Sequence, residues 1–117
     1  MKEVVANCPG MEYLVYDQDN QTEIRDFAVL IQKRFPKLNV LINNAGIQRV
    51  EDMTTGAIAA AEATISTNLL GPIRITAALI QQIMSRPKGA ILNVSSTLAM
   101  VPAAMLQIGR ASCRERV

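Results

Sequence analysis

Val40-Leu41-Ile42 runs without interruption into Asn43-Asn44-Ala45-Gly46, and few folds accommodate that junction. A continuous apolar run, rather than an alternating one, predicts a strand covered on both faces by helices, the pattern of a parallel sheet. The turn that follows carries amides and ends in glycine. It falls at the C-terminal end of the strand, the edge at which open α/β sheets bind their ligands.

The rest of the chain alternates in the same manner. Glu12-Tyr13-Leu14-Val15-Tyr16 reads as a strand ending at Asp17, and Asp19-Asn20 then offers an N-cap, with Glu23 three residues after Asn20 in a box-like helix start. The spacing predicts a helix from about Gln21 to Phe35, with Ile24, Phe27, Ala28 and Ile31 on one apolar face and Pro36 as its stop. After a loop around residues 48 to 55, a long helical stretch reaches about Ser85. Leu69, Ile73, Thr76, Ile80 and Ile83 form a mostly apolar stripe along it, expected to face the sheet or a partner helix. Gly71-Pro72 predicts a kink in that helix, because proline removes a hydrogen bond and crowds the preceding turn. Ala90-Ile91-Leu92-Asn93-Val94 is the next strand, leading into Ser95-Ser96. The fold class is therefore α/β, with no internal repeat and no low-complexity linker.

Composition narrows the possible functions. A chain of 117 residues suits one domain, since domains usually run roughly 100 to 200 residues. Half of it is hydrophobic and 19% is charged, an ordinary balance for a folded globular protein. No apolar stretch in the sequence approaches the roughly 18 residues of a membrane span, and no signal-peptide pattern follows Met1-Lys2-Glu3; the expectation is a cytoplasmic protein without a membrane partner. Cys8 and Cys113 have no framework spacing, and the chain contains no histidine, so neither a disulfide nor a metal site is expected. The net charge of +2 rests on residues beyond position 107: without Arg110, Arg114, Glu115 and Arg116, nine basic and nine acidic residues remain. A neutral body with only Tyr13, Tyr16, Phe27 and Phe35 as aromatics gives nucleic-acid binding no support.

Asp17, Asn44 and Ser95-Ser96 each lie just past the end of an expected strand, so a parallel sheet would gather them on one edge. Leu38 to Gly46, then Asn68 within Thr67-Asn68-Leu69-Leu70-Gly71-Pro72, then Asn93-Val94-Ser95-Ser96, in that order, resemble the short-chain dehydrogenase/reductase family over residues 1 to about 107. The resemblance implies part of a Rossmann-type, doubly wound parallel sheet, with three strands and two helices of a larger fold. It also implies NAD or NADP as cofactor, an alcohol or carbonyl as small-molecule substrate, and a homo-oligomeric parent enzyme.

Roles follow position by position from the resemblance. Asp17 corresponds to the acidic residue that contacts the adenine ring, although a strand-end Asp also serves to cap the next helix. Asn44, Ala45 and Gly46 correspond to the turn lying against the cofactor ribose, where a side chain at Gly46 would obstruct close approach; a tight connection alone would use the same residues. Asn68 corresponds to the helix asparagine that holds a water in the family's proton relay, and a polar residue within a helix is its plainer reading. Ser96 corresponds to the hydroxyl that hydrogen-bonds the substrate carbonyl, with Ser95 in its place if the register is one off.

The family's chemistry also needs a tyrosine to carry the substrate proton and a lysine four residues later, on the same helix face. The lysine's charge favours the tyrosinate and brings a phenol with a pKa near 10 closer to working pH. Counted from Ser96 by the family's spacing, these positions are Gly109 and Cys113, which supply neither an acid group nor a fixed positive charge. Ile108 to Val117 can be written in codons that resemble a widely used sequencing adapter. The expectation is that native sequence stops near Gln107 and that residues 108–117 form a non-native tail. The front departs from the family as well, because Gly10 is the only glycine before Gly46 and the glycine-rich phosphate loop is missing. Met1 to Gly10 resembles the end of the helix before the family's third strand, which two further strands separate from the fourth. The chain is thus expected to be an inactive fragment of an oxidoreductase. The alternative is a non-catalytic binding or interaction domain. A methyltransferase or sugar-nucleotide enzyme is a weaker third reading, opposed by Asn43 to Gly46 and Ser95-Ser96.

Overall fold

The computed structural model describes residues 8–49, 53–55 and 58–96. Its first helix, α1 (Gln21–Arg34), starts where Asn20 turns the chain. The Asn20 Oδ1 accepts from the backbone N–H groups of Thr22 and Glu23, and its Nδ2 donates to Glu23 Oε1 at 3.0 Å. Glu23 Oε2 accepts from Asp17 N–H at 2.8 Å. The expected box is present in altered form: the acid reaches back three residues beyond the cap, because the Asn20 N–H already donates to the Asp17 carbonyl. Strand β1 (Val40–Asn43) follows. A 3-10 turn (Met53–Thr55) comes next, then α2 (Ala59–Ile65), a π turn (Ser66–Leu70), α3 (Gly71–Met84) and strand β2 (Ala90–Asn93).

The two strands pair in parallel, with Val40 opposite Ala90 and Asn43 opposite Asn93. This confirms the α/β class and the parallel sheet inferred from the apolar runs. Glu12 to Tyr16 does not form the expected strand: it makes no ladder, and the described sheet has two strands, β1 and β2. A strand is defined by a neighbour, and in the order the resemblance implies, two further strands separate this stretch from β1. Tyr16 instead stacks on Phe27 with ring centroids 4.1 Å apart and packs against the edge of the core.

Ile24 and Ala28 of α1 and Ile75, Leu79 and Ile83 of α3 form that core, and Leu41 and Ile91 close it from the sheet. The apolar face predicted for α1 is the buried one. On α3 the predicted stripe is buried only at Ile83. Ile75, Leu79 and Ile83, at intervals of four, point inward, while Leu69 and Ile73 are each 55% exposed. The helix is apolar on two faces, so periodicity alone could not choose between them. Side-chain amides tie the far ends of α1 and α3 together, Gln82 Nε2 donating to the Phe35 carbonyl at 2.8 Å and Gln32 Nε2 to the Ala78 carbonyl at 3.1 Å.

The unbroken helical stretch Ala59–Met84 meets the length and hydropathy of a membrane span, which the sequence reading by apolar runs did not register. Its inward residues pack as those of a core helix do. No kink element occurs at Gly71-Pro72 itself. The irregularity is the π turn directly before it, with Gly71 N–H donating to the Ser66 carbonyl five residues back.

Candidate functional site

Both strands end in asparagine, and the site is built outward from that pair. Asn43 Nδ2 donates to Asn93 Oδ1 at 2.8 Å and lies 3.1 Å from Thr76 Oγ1, so the two strand ends and α3 share one polar junction. The ladder runs one step further, Val94 N–H donating to the Asn43 carbonyl. Beyond it the chain leaves the sheet on one side as Asn44-Ala45-Gly46 and on the other as Ser95-Ser96, all of them exposed. The C-terminal sheet edge thus carries both motifs, as the sequence pattern required.

Asn68 joins that edge from the π turn. Its Oδ1 accepts from Ile47 N–H at 2.8 Å, and its Nδ2 donates to the Ile47 carbonyl at 2.8 Å. Both ends of the amide grip a single backbone residue, which fixes the turn ending at Gly46. A Cβ built on Gly46 would come 3.4 Å from Asn68 Oδ1, an ordinary contact, so Asn68 does not by itself exclude a side chain there. The side chain of Asn68 is therefore a clasp.

Asp17 follows the stretch that forms no ladder, so the expected gathering of Asp17 with Asn44 and Ser95-Ser96 on one sheet edge is not seen among the described residues. The Asp17 Oδ1 accepts from Asp19 N–H at 2.9 Å, closing an Asx turn of the kind that ends a strand. The next residues reach the π turn: Gln18 Nε2 donates to the Thr67 carbonyl at 2.7 Å, and Thr67 Oγ1 donates to Asp19 Oδ1 at 2.8 Å. Arg74 Nη1 approaches the Asp19 carbonyl at 3.5 Å. Tyr16, whose hydroxyl donates to Gln18 Oε1 at 3.3 Å, has its pKa raised by burial.

Between the asparagine junction and α3 lies an open groove of about 640 Å³. Asn43, Asn68 and Asn93 give it a polar end, and Leu69, Ile73 and Ile80 an apolar flank. Four residues of the stripe expected to face the sheet or a partner helix, Leu69, Ile73, Thr76 and Ile80, line this groove, and the fifth, Ile83, packs in the core. Among the described residues, no cluster of His, Cys, Asp or Glu could hold a metal ion. Gly109 and Cys113 lie outside the described residues, as does the whole of 108–117. Asn43 and Asn93 entered the sequence reading only as motif residues and Thr76 only as part of the helix stripe, while Gln18 and Ile47 were given no role.

Comparison with known proteins identifies the family to which this parallel sheet and its Asn-Ala-Gly turn belong. The family model described as short chain dehydrogenase matches residues 1–112, and the chain belongs to that family. It is similar to the uncharacterized oxidoreductase DltE of Bacillus subtilis (strain 168), at 30% identity over 92% of this chain and 42% of the relative. It is also similar to carbonyl reductase (NADPH) 1 of Rattus norvegicus, at 38% identity over 72% of this chain and 30% of the relative. A crystal structure of a short-chain dehydrogenase from Streptomyces avermitilis superposes with a TM-score of 0.82 at 26% identity, covering 96% of this chain and 42% of that one. The chain therefore spans well under half the length of these relatives.

Proposed function

We propose that the gene carrying this segment encodes an NAD(P)-dependent oxidoreductase that moves a hydride between a nicotinamide cofactor and an alcohol or carbonyl substrate. The observation that carries this reading is the two-bonded grip of Asn68 on Ile47. It holds the Asn44–Gly46 turn as exposed backbone at the mouth of a groove, and a glycine there lets a cofactor ribose approach closely. The cofactor, when bound, supplies or accepts the hydride. Likeness to the rat NADPH carbonyl reductase supports NADP over NAD, and a carbonyl substrate.

The residues of this chain divide the remaining work. Asp17 has acceptor capacity beyond the Oδ1 engaged in its turn, because an ionised carboxylate offers about four lone-pair positions; that capacity suits the adenine end. Ser96 supplies the hydroxyl for the substrate oxygen, with Ser95 as the neighbouring choice. Because the Asn68 side chain is engaged with Ile47, its backbone carbonyl is the group we assign to a proton-relay water. The proton itself needs a phenol of lowered pKa and a fixed cation, and Gly109 and Cys113 are neither. We therefore read 108–117 as foreign to the gene and the 117-residue chain as inactive.

Resequencing source DNA across the Gln107 codon and assaying both products tests the reading. The expected result is a frame continuing to a tyrosine and, four codons on, a lysine. The full product should then consume NADPH or NADH with simple carbonyls, and the 117-residue chain should not. Nicotinamide turnover by the short chain overturns the assignment of its inactivity. DNA that truly encodes Gly109 and Cys113 overturns the enzymatic reading and leaves the second one, a non-catalytic binding domain on the same edge.

A further inference from the structure

We propose that Gln18 is a positioning residue for the site: its side-chain amide replaces the backbone donor that Pro72 removes and so holds the π turn in the register that aims Asn68 at Ile47. This rests on the preceding reading for its relevance to turnover, but not for its structural content. In the π turn, Gly71 N–H bonds to Ser66 five residues earlier. The next donor in that ladder would be residue 72 to the Thr67 carbonyl, and proline has no N–H. A helix carbonyl left without a donor and shielded from water costs about as much as a lost hydrogen bond. Thr67's carbonyl is not left so, because Gln18 Nε2 donates to it at 2.7 Å from 49 positions away in sequence.

Three features of the surroundings fit this single purpose. The Tyr16 hydroxyl donates to Gln18 Oε1, and a hydroxyl facing the amide oxygen leaves the amide nitrogen as the group turned toward Thr67. Tyr16 is in turn stacked on Phe27 of α1, so the orienting group is anchored to the core. Gly71 has ordinary helical dihedrals, with φ −56°, yet a Cβ there would lie 2.2 Å from Gln18 Cγ and 2.6 Å from Nε2. Glycine is required at 71 by this approach and not by its backbone conformation. Residues 18, 71 and 72 thus form one device: the proline opens the ladder, the glycine clears a path, and the glutamine fills the gap. The residue next to the opened carbonyl is Asn68, so any relaxation of the π turn moves the clasp on Ile47.

The test uses the full-length gene product and backbone amide exchange at Ile47, whose N–H donates to Asn68 Oδ1. Gln18→Met keeps length and removes the donor. Pro72→Ala restores the backbone donor. Gln18→Met should speed Ile47 exchange by roughly five- to tenfold, the factor one internal hydrogen bond is worth, with core amides of α1 such as Ala28 unchanged. The double variant Gln18→Met/Pro72→Ala should return Ile47 toward the parent rate. Should Gln18→Met fail to fold, recovery of a folded product in the double variant supports the device equally. Unchanged Ile47 exchange in Gln18→Met, or a double variant no better than the single, overturns it. Turnover is recorded in parallel: an inactive parent protein defeats the oxidoreductase reading alone, because the exchange rates still decide the role of Gln18.

Discussion

Asn68 commits both atoms of its amide to the backbone of one residue, Ile47, and the groups around it show the same economy of small polar contacts. Asn43 bridges Asn93 and Thr76, and Gln18 bridges Tyr16 and Thr67. Tyr16 is the residue at which this organisation responds to pH. Burial raises its pKa above the ordinary phenol value, so the folded state holds the phenol proton more tightly than the unfolded state does. Its contribution is fully present below the unfolded pKa and is lost as pH rises through that value toward the folded one. Urea midpoints of the full-length protein should therefore fall as pH rises above about 10, and part of that fall should vanish in Tyr16→Phe. Equal alkaline slopes in the two proteins would remove Tyr16 from the account. Sequence alone set Asn44 and Ser95-Ser96 on one edge because strand ends can be read from hydrophobic runs, whereas the same reading for Asp17 rested on a strand that does not form in the described sheet. Sequence could not show that Asn68 grips Ile47, 21 positions away, since a hydrogen bond between distant segments leaves no local pattern.

Elements were readable to the extent that their signals are local. The first helix announces itself through Asn20, Glu23 and Pro36, and it runs from Gln21 to Arg34, one residue short of expectation at its end. Its cap is a discrete contribution: Asn20→Ala in the full-length protein should lower unfolding free energy by about 1 kcal/mol, measured by denaturant melts. A change within a few tenths would mean that Glu23 and Asp17 secure the turn without it. The strand at Glu12 to Tyr16 was misread because its residues have strand-like character, whereas its ladder partners do not lie in the described sheet. The inward face of α3 was misread for a different reason. Ile73 and Ile80 are as apolar as Ile75 and Leu79, and tertiary packing rather than period decided which pair is buried. The same two faces explain how one helix can both seal the core and flank the groove.

At the scale of the whole molecule, one side of the sheet is sealed by α1 and α3, while Ile42 is 58% and Leu92 48% exposed on the other. This half-covered sheet, together with a length well under half that of the relatives, places the described residues as part of a larger doubly wound domain. Stability should accordingly reside in the sealed half. Leu79→Ala in the full-length protein should cost about 2–5 kcal/mol, the usual range for emptying a buried leucine site. Leu69→Ala, on the groove flank, should cost a small fraction of that. Comparable losses from both in denaturant melts would show that the groove is filled by packing in the complete fold and does not stand open to a ligand.

The paired asparagines at the strand ends also bear on how this sheet assembles. Asn43 and Asn93 stand opposite each other although 50 positions apart, so β1 waits for the whole intervening helical stretch before it finds its neighbour, a delay that non-local contacts impose on folding. A slip of one position would set an amide against Leu92 or Val94 and turn every inward side chain outward. Only the native alignment lets the two amides meet and Thr76 join them. The rung at the strand ends is a checksum on the alignment of everything before it, written at the same edge where the site begins.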